Sequence, residues 1–130
     1  MTACDVYIGD LGDPEFSWDG GDWNGNIPKP LAATFPPVGG HYNECFHRWV
    51  EKSGVECCQP DFGGRVAKVT QSQLLDYIDH CYGSDPGYNE PDRMLMWEGR
   101  PYLVDRLDAI RSFVLGLSDS KLYALVATEF

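Results

Sequence analysis

The stretch His41-Tyr-Asn-Glu-Cys-Phe-His-Arg-Trp-Val-Glu-Lys-Ser-Gly54 carries the clearest structural signal in this chain. Its large apolar side chains recur at helical spacing, which predicts a helix with one apolar face. These residues are Tyr42, Cys45, Phe46, Trp49 and Val50. Gly54 stands where a helix commonly ends in a left-handed residue. A helix of this length is marginal alone in water, so we expect its apolar face to pack on a sheet.

Strand patterns occur on both sides of this helix. In residues 3–8, small or apolar side chains alternate with Asp5 and Tyr7, which predicts a first strand with two different faces. Two shorter strands are predicted after the helix, at Val55–Cys58 and at Arg65–Val69. Both shorter patterns are weaker than the first.

A second helix is predicted from the segment Thr70-Gln-Ser-Gln73. This segment matches the capping box, in which a Thr hydroxyl and a Gln side chain each accept a hydrogen bond from the other residue's backbone N–H. Gly83 marks the end of this helix. Its apolar stripe consists of Leu74, Leu75, Ile78, Cys81 and Tyr82.

The following segment has the pattern of a β-hairpin. Met94–Trp97 and Arg100–Val104 read as two strands, and Glu98-Gly99 reads as the turn between them. Pro101 has no backbone N–H, so it would restrict the second strand to an edge or a bulge.

A third helix and a last strand complete the chain. Asp105 is expected to cap the helix, whose apolar stripe consists of Leu107, Ile110, Phe113, Val114 and Leu117. Residues 121–128 are apolar on both faces, which predicts a central strand covered on both sides.

These elements together predict an α+β fold, with one mainly antiparallel sheet and about three helices packed on it. A long loop rich in Gly, Asp and Pro precedes the first helix, over residues 9–40. Such a loop is usually either functional or mobile, and Phe16, Trp18 and Trp23 favour a packed one. The whole chain, residues 1–130, is expected to form one domain.

The chain is strongly acidic, with a net charge of −10 at pH 7. Acidic residues concentrate in residues 5–22 and again in residues 76–92, and neither run contains Lys or Arg. Direct binding of nucleic acid is disfavoured, because it depends on basic residues that neutralise phosphates. An acidic surface suits a basic protein partner, including one that itself binds nucleic acid. The alternative is that the charge serves solubility alone.

The location is predicted from three features. No stretch approaches the roughly 18 apolar residues that a membrane span needs. The first residues lack the basic and apolar segments of a secretory signal. The five cysteines have no framework spacing, which favours reduced thiols. We therefore expect a cytoplasmic protein that contacts no membrane, and the sequence does not predict its oligomeric state.

Metal binding is the first alternative function. A zinc site could draw on Cys45, His47, Cys57, Cys58, His80 and Cys81, but none of their spacings is typical of zinc sites. Two of these cysteines fall in helical apolar stripes, where cysteine behaves as a small hydrophobe. The Asp/Asn/Gly run at residues 19–26 offers oxygen ligands, but it lacks the ligand order of a calcium-binding EF-hand loop. We therefore predict no metal and no cofactor.

Catalysis is the second alternative. Cys57 or Cys58 could pair with His41 or His47 in a cysteine-dependent enzyme, although acidic surroundings raise the pKa of a thiol. The sequence contains no nucleophile elbow, no H-E-x-x-H and no phosphate-binding loop. The protein is therefore more simply explained without an enzymatic activity.

The predicted function is binding to another protein, in the manner of an inhibitor, an immunity protein or a phage anti-defence protein. The two acidic runs contain large aromatic residues, which can anchor an interface while the charges speed association. The aromatic residues could alternatively stack on a sugar or another flat ligand. The predicted binding residues are Asp13, Glu15, Phe16, Trp18, Asp19, Asp22, Trp23, Asp85, Tyr88, Glu90 and Asp92.

Overall fold

A computed structural model of the chain describes residues 4–16, 18, 27–36, 44–58, 64–84 and 93–129, with residues 4, 64, 93–99 and 129 described by their backbone. It has the predicted α+β architecture, a four-stranded antiparallel sheet with three helices. The elements are β1 (Cys4–Gly9), α1 (Glu44–Ser53), β2 (Cys57–Cys58), β3 (Gly64–Thr70), α2 (Gln71–Tyr82), α3 (Arg93–Leu115) and β4 (Leu122–Glu129).

The sheet has the strand order β1-β4-β3-β2. The last strand of the chain, β4, therefore lies between β1 and β3, as its apolar pattern predicted. Val126 of β4 is paired with Tyr7 on one side and with Val66 on the other. The outer edge of β1 is covered by the long loop, because Leu31 N–H donates to Ile8 O at 2.8 Å and Phe35 N–H donates to Val6 O at 2.7 Å.

All three helices contribute to the main core on one face of the sheet. The predicted stripe of α1 is buried at Cys45, Phe46, Trp49 and Val50, while Tyr42 lies outside the described residues. The centre of this core is Tyr77 of α2, a buried residue that the predicted stripe of α2 omitted. The Tyr77 ring meets Phe35, Phe46 and Trp49 edge to face, with centroid distances of 5.1, 6.3 and 5.3 Å.

The opposite face of the sheet is covered by the long loop. A second cluster of buried side chains forms there, and part-buried residues of the loop pack against it. The strand residues of this cluster are Tyr7, Val66, Ala124 and Val126, and the loop residues are Leu11, Phe16, Trp18 and Ile27. The described parts of the loop are therefore packed, as their aromatic residues predicted.

The ends of α1 and α2 test the capping predictions. Gly54 has φ +70°, which is the left-handed conformation predicted for the end of α1. The predicted capping box at Thr70 and Gln73 is present in full. Gly83 follows the last residue of α2, but its φ of −80° is not left-handed. Gly83 N–H donates to Asp79 O at 3.3 Å, and Arg100 of α3 donates to the last carbonyl of α2, Tyr82 O, at 2.5 Å.

The predicted hairpin is wrong, because residues 93–115 form one continuous helix that includes Pro101. Asp105 therefore lies inside α3 and does not cap it. A proline inside a helix costs about 3 kcal/mol through its missing hydrogen bond and its ring. On the C-terminal side of Pro101, Leu103 and Leu107 are completely buried, and burying a leucine stabilises by about 1.5–3 kcal/mol. On its N-terminal side, Arg100 donates to Tyr82 O and Ser84 O at the end of α2. Tertiary contacts on both sides of the proline thus offset the local preference. Within the described residues, no helix has the length and apolar character needed to cross a membrane.

Candidate functional site

The loop on the second face of the sheet is fixed by the buried carboxylate of Asp13. Its Oδ1 accepts a hydrogen bond from Glu15 N at 3.0 Å, and its Oδ2 accepts one from Lys29 N at 3.0 Å. The first bond closes a local turn, and the second joins two parts of the loop that are 16 residues apart. Asp13 was predicted to contact a partner, but its 4% exposure and its two backbone partners give it a structural role in the loop.

Further hydrogen bonds join the same two parts of the chain, residues 7–13 and residues 28–29. Asp10 N–H donates to Lys29 O at 2.9 Å, and the Tyr7 hydroxyl donates to Pro28 O at 2.7 Å. Trp18 and Ile27 both pack on the second core cluster. Residues 19–26 lie outside the described residues, and the residues on both sides of them are thus held on one face of the sheet.

Among the described residues of this loop, Trp18 is the large aromatic residue that combines packing with partial exposure. Its side chain is partly buried against the second cluster, and Lys68 Nζ lies 4.3 Å from the ring centroid. The same ammonium group is 3.2 Å from Glu56 Oε2. The interaction between a cation and the face of an indole ring is favourable by about 0.5–1 kcal/mol at an exposed site. The second cluster thus packs against Trp18, and Lys68 lies over the face of its ring.

The structure places four of the predicted binding residues. Phe16 is buried in the second cluster at 8% exposure, and Glu15 is exposed beside it. Asp13 and Trp18 lie as described above. The other predicted binding residues lie outside the described residues: Asp19, Asp22, Trp23, Asp85, Tyr88, Glu90 and Asp92.

Charge is distributed unevenly along the chain. Between Trp18 and Lys29 the sequence holds Asp19 and Asp22 and no basic residue. The second acidic run holds Asp85, Glu90 and Asp92 ahead of Arg93. The sequence next to Trp18 is therefore acidic without a compensating basic residue.

Two buried thiols meet on the opposite face of the sheet. Cys45 Sγ of α1 lies 3.8 Å from Cys81 Sγ of α2 and 3.5 Å from the Ser84 hydroxyl. The hydrogen bond from Cys81 lowers the pKa of Cys45 to about 7, together with Ser84 and Arg48 and against the effect of burial. Burial raises the pKa of Cys81 well above its ordinary value, and the bond to Cys45 raises it further.

A polar contact between Arg65 and His47 joins β3 of the sheet to α1. Arg65 of β3 lies with its NH1 3.2 Å from Nδ1 of His47. A guanidinium can only donate, so the geometry fits His47 Nδ1 as the acceptor of this bond. Burial raises the pKa of the nearby Cys57 thiol despite the charge of Arg65. A raised pKa leaves less of the Cys57 thiol as the nucleophilic thiolate at neutral pH.

Among the described residues, no group of three or more His, Cys, Asp or Glu side chains could hold a metal ion. The Asp/Asn/Gly run at 19–26 lies outside those residues. Cys45 and Cys81 are buried in the helical core, where the sequence placed them.

Sequence reasoning missed the structural use of Asp13 and the contact between Lys68 and Trp18. The spacing of Asp13 and Glu15 is that of an Asx-type turn, in which a carboxylate accepts from the backbone two residues later, so this signal was available. Lys29 is distant from Asp13 in the sequence and Lys68 is distant from Trp18, so no local pattern predicts these contacts. Comparison of the chain with protein-family models, curated proteins and solved structures found no match.

Proposed function

We propose that this protein binds a basic surface of another protein through a loop patch. The loop patch consists of the acidic residues Glu15, Asp19 and Asp22 and the aromatic residues Trp18 and Trp23. The second acidic run, with Asp85, Tyr88, Glu90 and Asp92, lies between α2 and α3 in the chain and is proposed as a separate, second contact with a basic surface. Binding of this kind would block the basic surface, so the protein would act as an inhibitor, in the manner of immunity and anti-defence proteins.

The observation that carries the proposal is the support of Trp18. Large aromatic residues in well-packed surroundings contribute most of the energy of many interfaces. Trp18 rests on the second core cluster and contacts Lys68, so its ring is held in place before a partner arrives. A fixed anchor loses less side-chain entropy on binding than a mobile one.

The junction at Asp13 supports the proposal in a second way. Lys29 N–H donates to the Asp13 carboxylate and Asp10 N–H donates to Lys29 O, and these two bonds fix the backbone on both sides of residues 19–26. A binding loop whose two ends are fixed loses less conformational entropy on binding than a loop whose ends are free.

Charge supports the choice of partner. The net charge of −10, together with the uncompensated acids that follow Trp18, favours encounter with a positive surface and repels nucleic acid. Such steering raises association rates at low salt and fades as salt screens the charges.

The first experiment identifies the partner. Tagged protein is used to capture binding proteins from an extract of its native cells, in parallel with a variant carrying Trp18→Ala and Trp23→Ala. A partner that follows from the proposal is basic, is recovered by the wild type and is lost with the variant. Recovery of the same proteins by both baits would contradict the proposal.

A further inference from the structure

Cys45 and Cys81 form a thiol pair that the proposed binding function does not use. The two sulfur atoms are 3.8 Å apart although the residues are 36 positions apart in the chain. Cys45 lies in the first turn of α1 and Cys81 in the last turn of α2, so the pair links two helix ends. A disulfide has a sulfur–sulfur distance of about 2.05 Å, so bond formation requires the two atoms to approach by less than 2 Å.

The surroundings of the pair distinguish the two thiols. The Ser84 hydroxyl lies 2.9 Å from His80 O and 3.5 Å from Cys45 Sγ, so its one proton can be donated to either acceptor and can turn to a Cys45 thiolate. Arg48, one turn further along α1, adds a positive charge that favours a Cys45 thiolate. Cys81 is fully buried, whereas Cys45 keeps 3% of its surface exposed. Cys45 is therefore the better nucleophile and Cys81 is the thiol placed to attack it after oxidation.

The other described cysteine pair has a different geometry. Cys57 and Cys58 are consecutive residues of β2, so their side chains point to opposite faces of the sheet. Consistent with this, Cys57 packs on the main core and Cys58 on the second cluster. Two side chains that point apart cannot be joined without moving the backbone.

We propose that Cys45 and Cys81 are a redox site, at which hydrogen peroxide or a small organic hydroperoxide converts two thiols into one intramolecular disulfide. This site does not depend on the proposed binding function.

The reaction balances in two steps. The Cys45 thiolate attacks one peroxide oxygen, the O–O bond breaks, and Cys45 becomes a sulfenic acid while hydroxide leaves and takes up the proton that the thiol released. The Cys81 sulfur then attacks the Cys45 sulfur, and the sulfenic oxygen leaves as water with the Cys81 proton. Two thiols lose two electrons in total. Hydrogen peroxide is reduced to two molecules of water, and an organic hydroperoxide, from which an alkoxide leaves instead of hydroxide, is reduced to one alcohol and one water.

The consequence of the bond is a covalent link between the beginning of α1 and the end of α2. The link closes a loop of 36 residues, which restricts the unfolded chain more than the folded one. The oxidised protein should therefore unfold at a higher temperature, and thiol reductants should reverse the change.

The test treats the purified, reduced full chain with hydrogen peroxide and then labels the remaining thiols with a maleimide in denaturant. Mass spectrometry is expected to show two fewer labels than the five of the reduced protein, and proteolysis should give a peptide pair joined through Cys45 and Cys81. Dithiothreitol should restore all five labels. Because this measurement uses the wild type, it does not depend on the folding of a variant.

Two variants assign the roles, and a third is the control. Cys81→Ser should leave a Cys45 sulfenic acid that a dimedone probe captures, and Cys45→Ser should prevent the loss of the Cys81 thiol. The double variant Cys57→Ser/Cys58→Ser should form the disulfide at the wild-type rate. A disulfide that involves Cys4, Cys57 or Cys58, or oxidation without any disulfide between Cys45 and Cys81, would overturn the proposal.

Discussion

The indole N–H of Trp49 donates a hydrogen bond of 2.8 Å to Oδ2 of Asp76, across the contact between α1 and α2. The indole ring is buried, and the carboxylate belongs to a residue that is exposed on α2. One side chain thus fills the core while its polar edge is bonded at the boundary with solvent, which is a common position for tryptophan.

Trp49→Ala should lower the free energy of unfolding by about 3–5 kcal/mol, because it empties a large buried site. Asp76→Ala should cost about 1 kcal/mol, because it leaves the indole N–H without this acceptor. Asp79→Ala is the matched control, since Asp79 is exposed one turn further along the same helix. Urea unfolding measures all three. Equal losses for Asp76→Ala and Asp79→Ala would show that the bond does not stabilise the fold.

Asp13→Ala should destabilise the protein by about 2–3 kcal/mol, since two backbone N–H groups lose a charged acceptor. Asp10→Ala is the control, because Asp10 Oδ1 accepts one exposed bond from Gly12 N at 2.8 Å, and it should cost less than about 1 kcal/mol. Urea unfolding again gives the values. If Asp13→Ala is as stable as the wild type, the carboxylate is free to serve a partner, as the sequence first suggested.

Pro101→Ala should stabilise the protein by about 1–3 kcal/mol, because it restores a backbone donor and removes a ring inside α3. The side chain at this position is exposed, so the substitution disturbs little packing. Leu103→Ala is the contrasting variant and should cost about 2–5 kcal/mol. A loss of stability with Pro101→Ala would indicate that the proline begins a helix in solution, where its fixed φ is favourable.

Stability should rise with pH between about 7 and 9 under reducing conditions. The pKa of Cys45 is lowered from 9.0 to about 7, so between these values the unfolded state holds a proton that the folded state has released. This contribution is present above pH 9 and is lost as the pH falls through 7, with a limit of about 2–3 kcal/mol. Burial raises the pKa of Cys81, which reduces stability above pH 9 and defines the upper end of the window. Urea unfolding of the wild type at pH 6.5 and 8.5 should show the rise, and Cys45→Ser should abolish it.

The sequence predicted most of the fold because its signals were local. The stripe that contains Phe46 and Trp49 and the capping box at Thr70 each involve neighbours within two or three turns of a helix, and the structure confirms them. The hairpin at residues 94–104 failed because Pro101 and Gly99 discourage a helix locally. The burial of Leu103, which reverses that preference, depends on contacts with distant elements.

The candidate site was predictable in part. Composition revealed the acidic runs and the aromatic residues among them. Composition could not show that Lys29 N–H donates to the Asp13 carboxylate, or that Lys68 lies over the Trp18 ring, because the tertiary fold brings both pairs together. The same holds for the contact of Cys45 with Cys81, which joins two helices that the sequence could only treat separately.

The central claim is that the loop patch, which includes Trp18, binds a basic protein surface. Its most direct test is the kinetics of binding to the captured and purified partner, measured at several salt concentrations. Asp19→Asn/Asp22→Asn should slow association and reduce its salt dependence with little change in dissociation, while Trp18→Ala should speed dissociation at least tenfold.

The matched control is Glu51→Gln/Asp105→Asn, which removes the same charge from exposed residues on α1 and α3, on the other side of the sheet. The account predicts wild-type kinetics for this control and the two distinct defects for the loop variants. Unchanged binding by both loop variants, with slower association of the control, would contradict it and would place the interface on the helices.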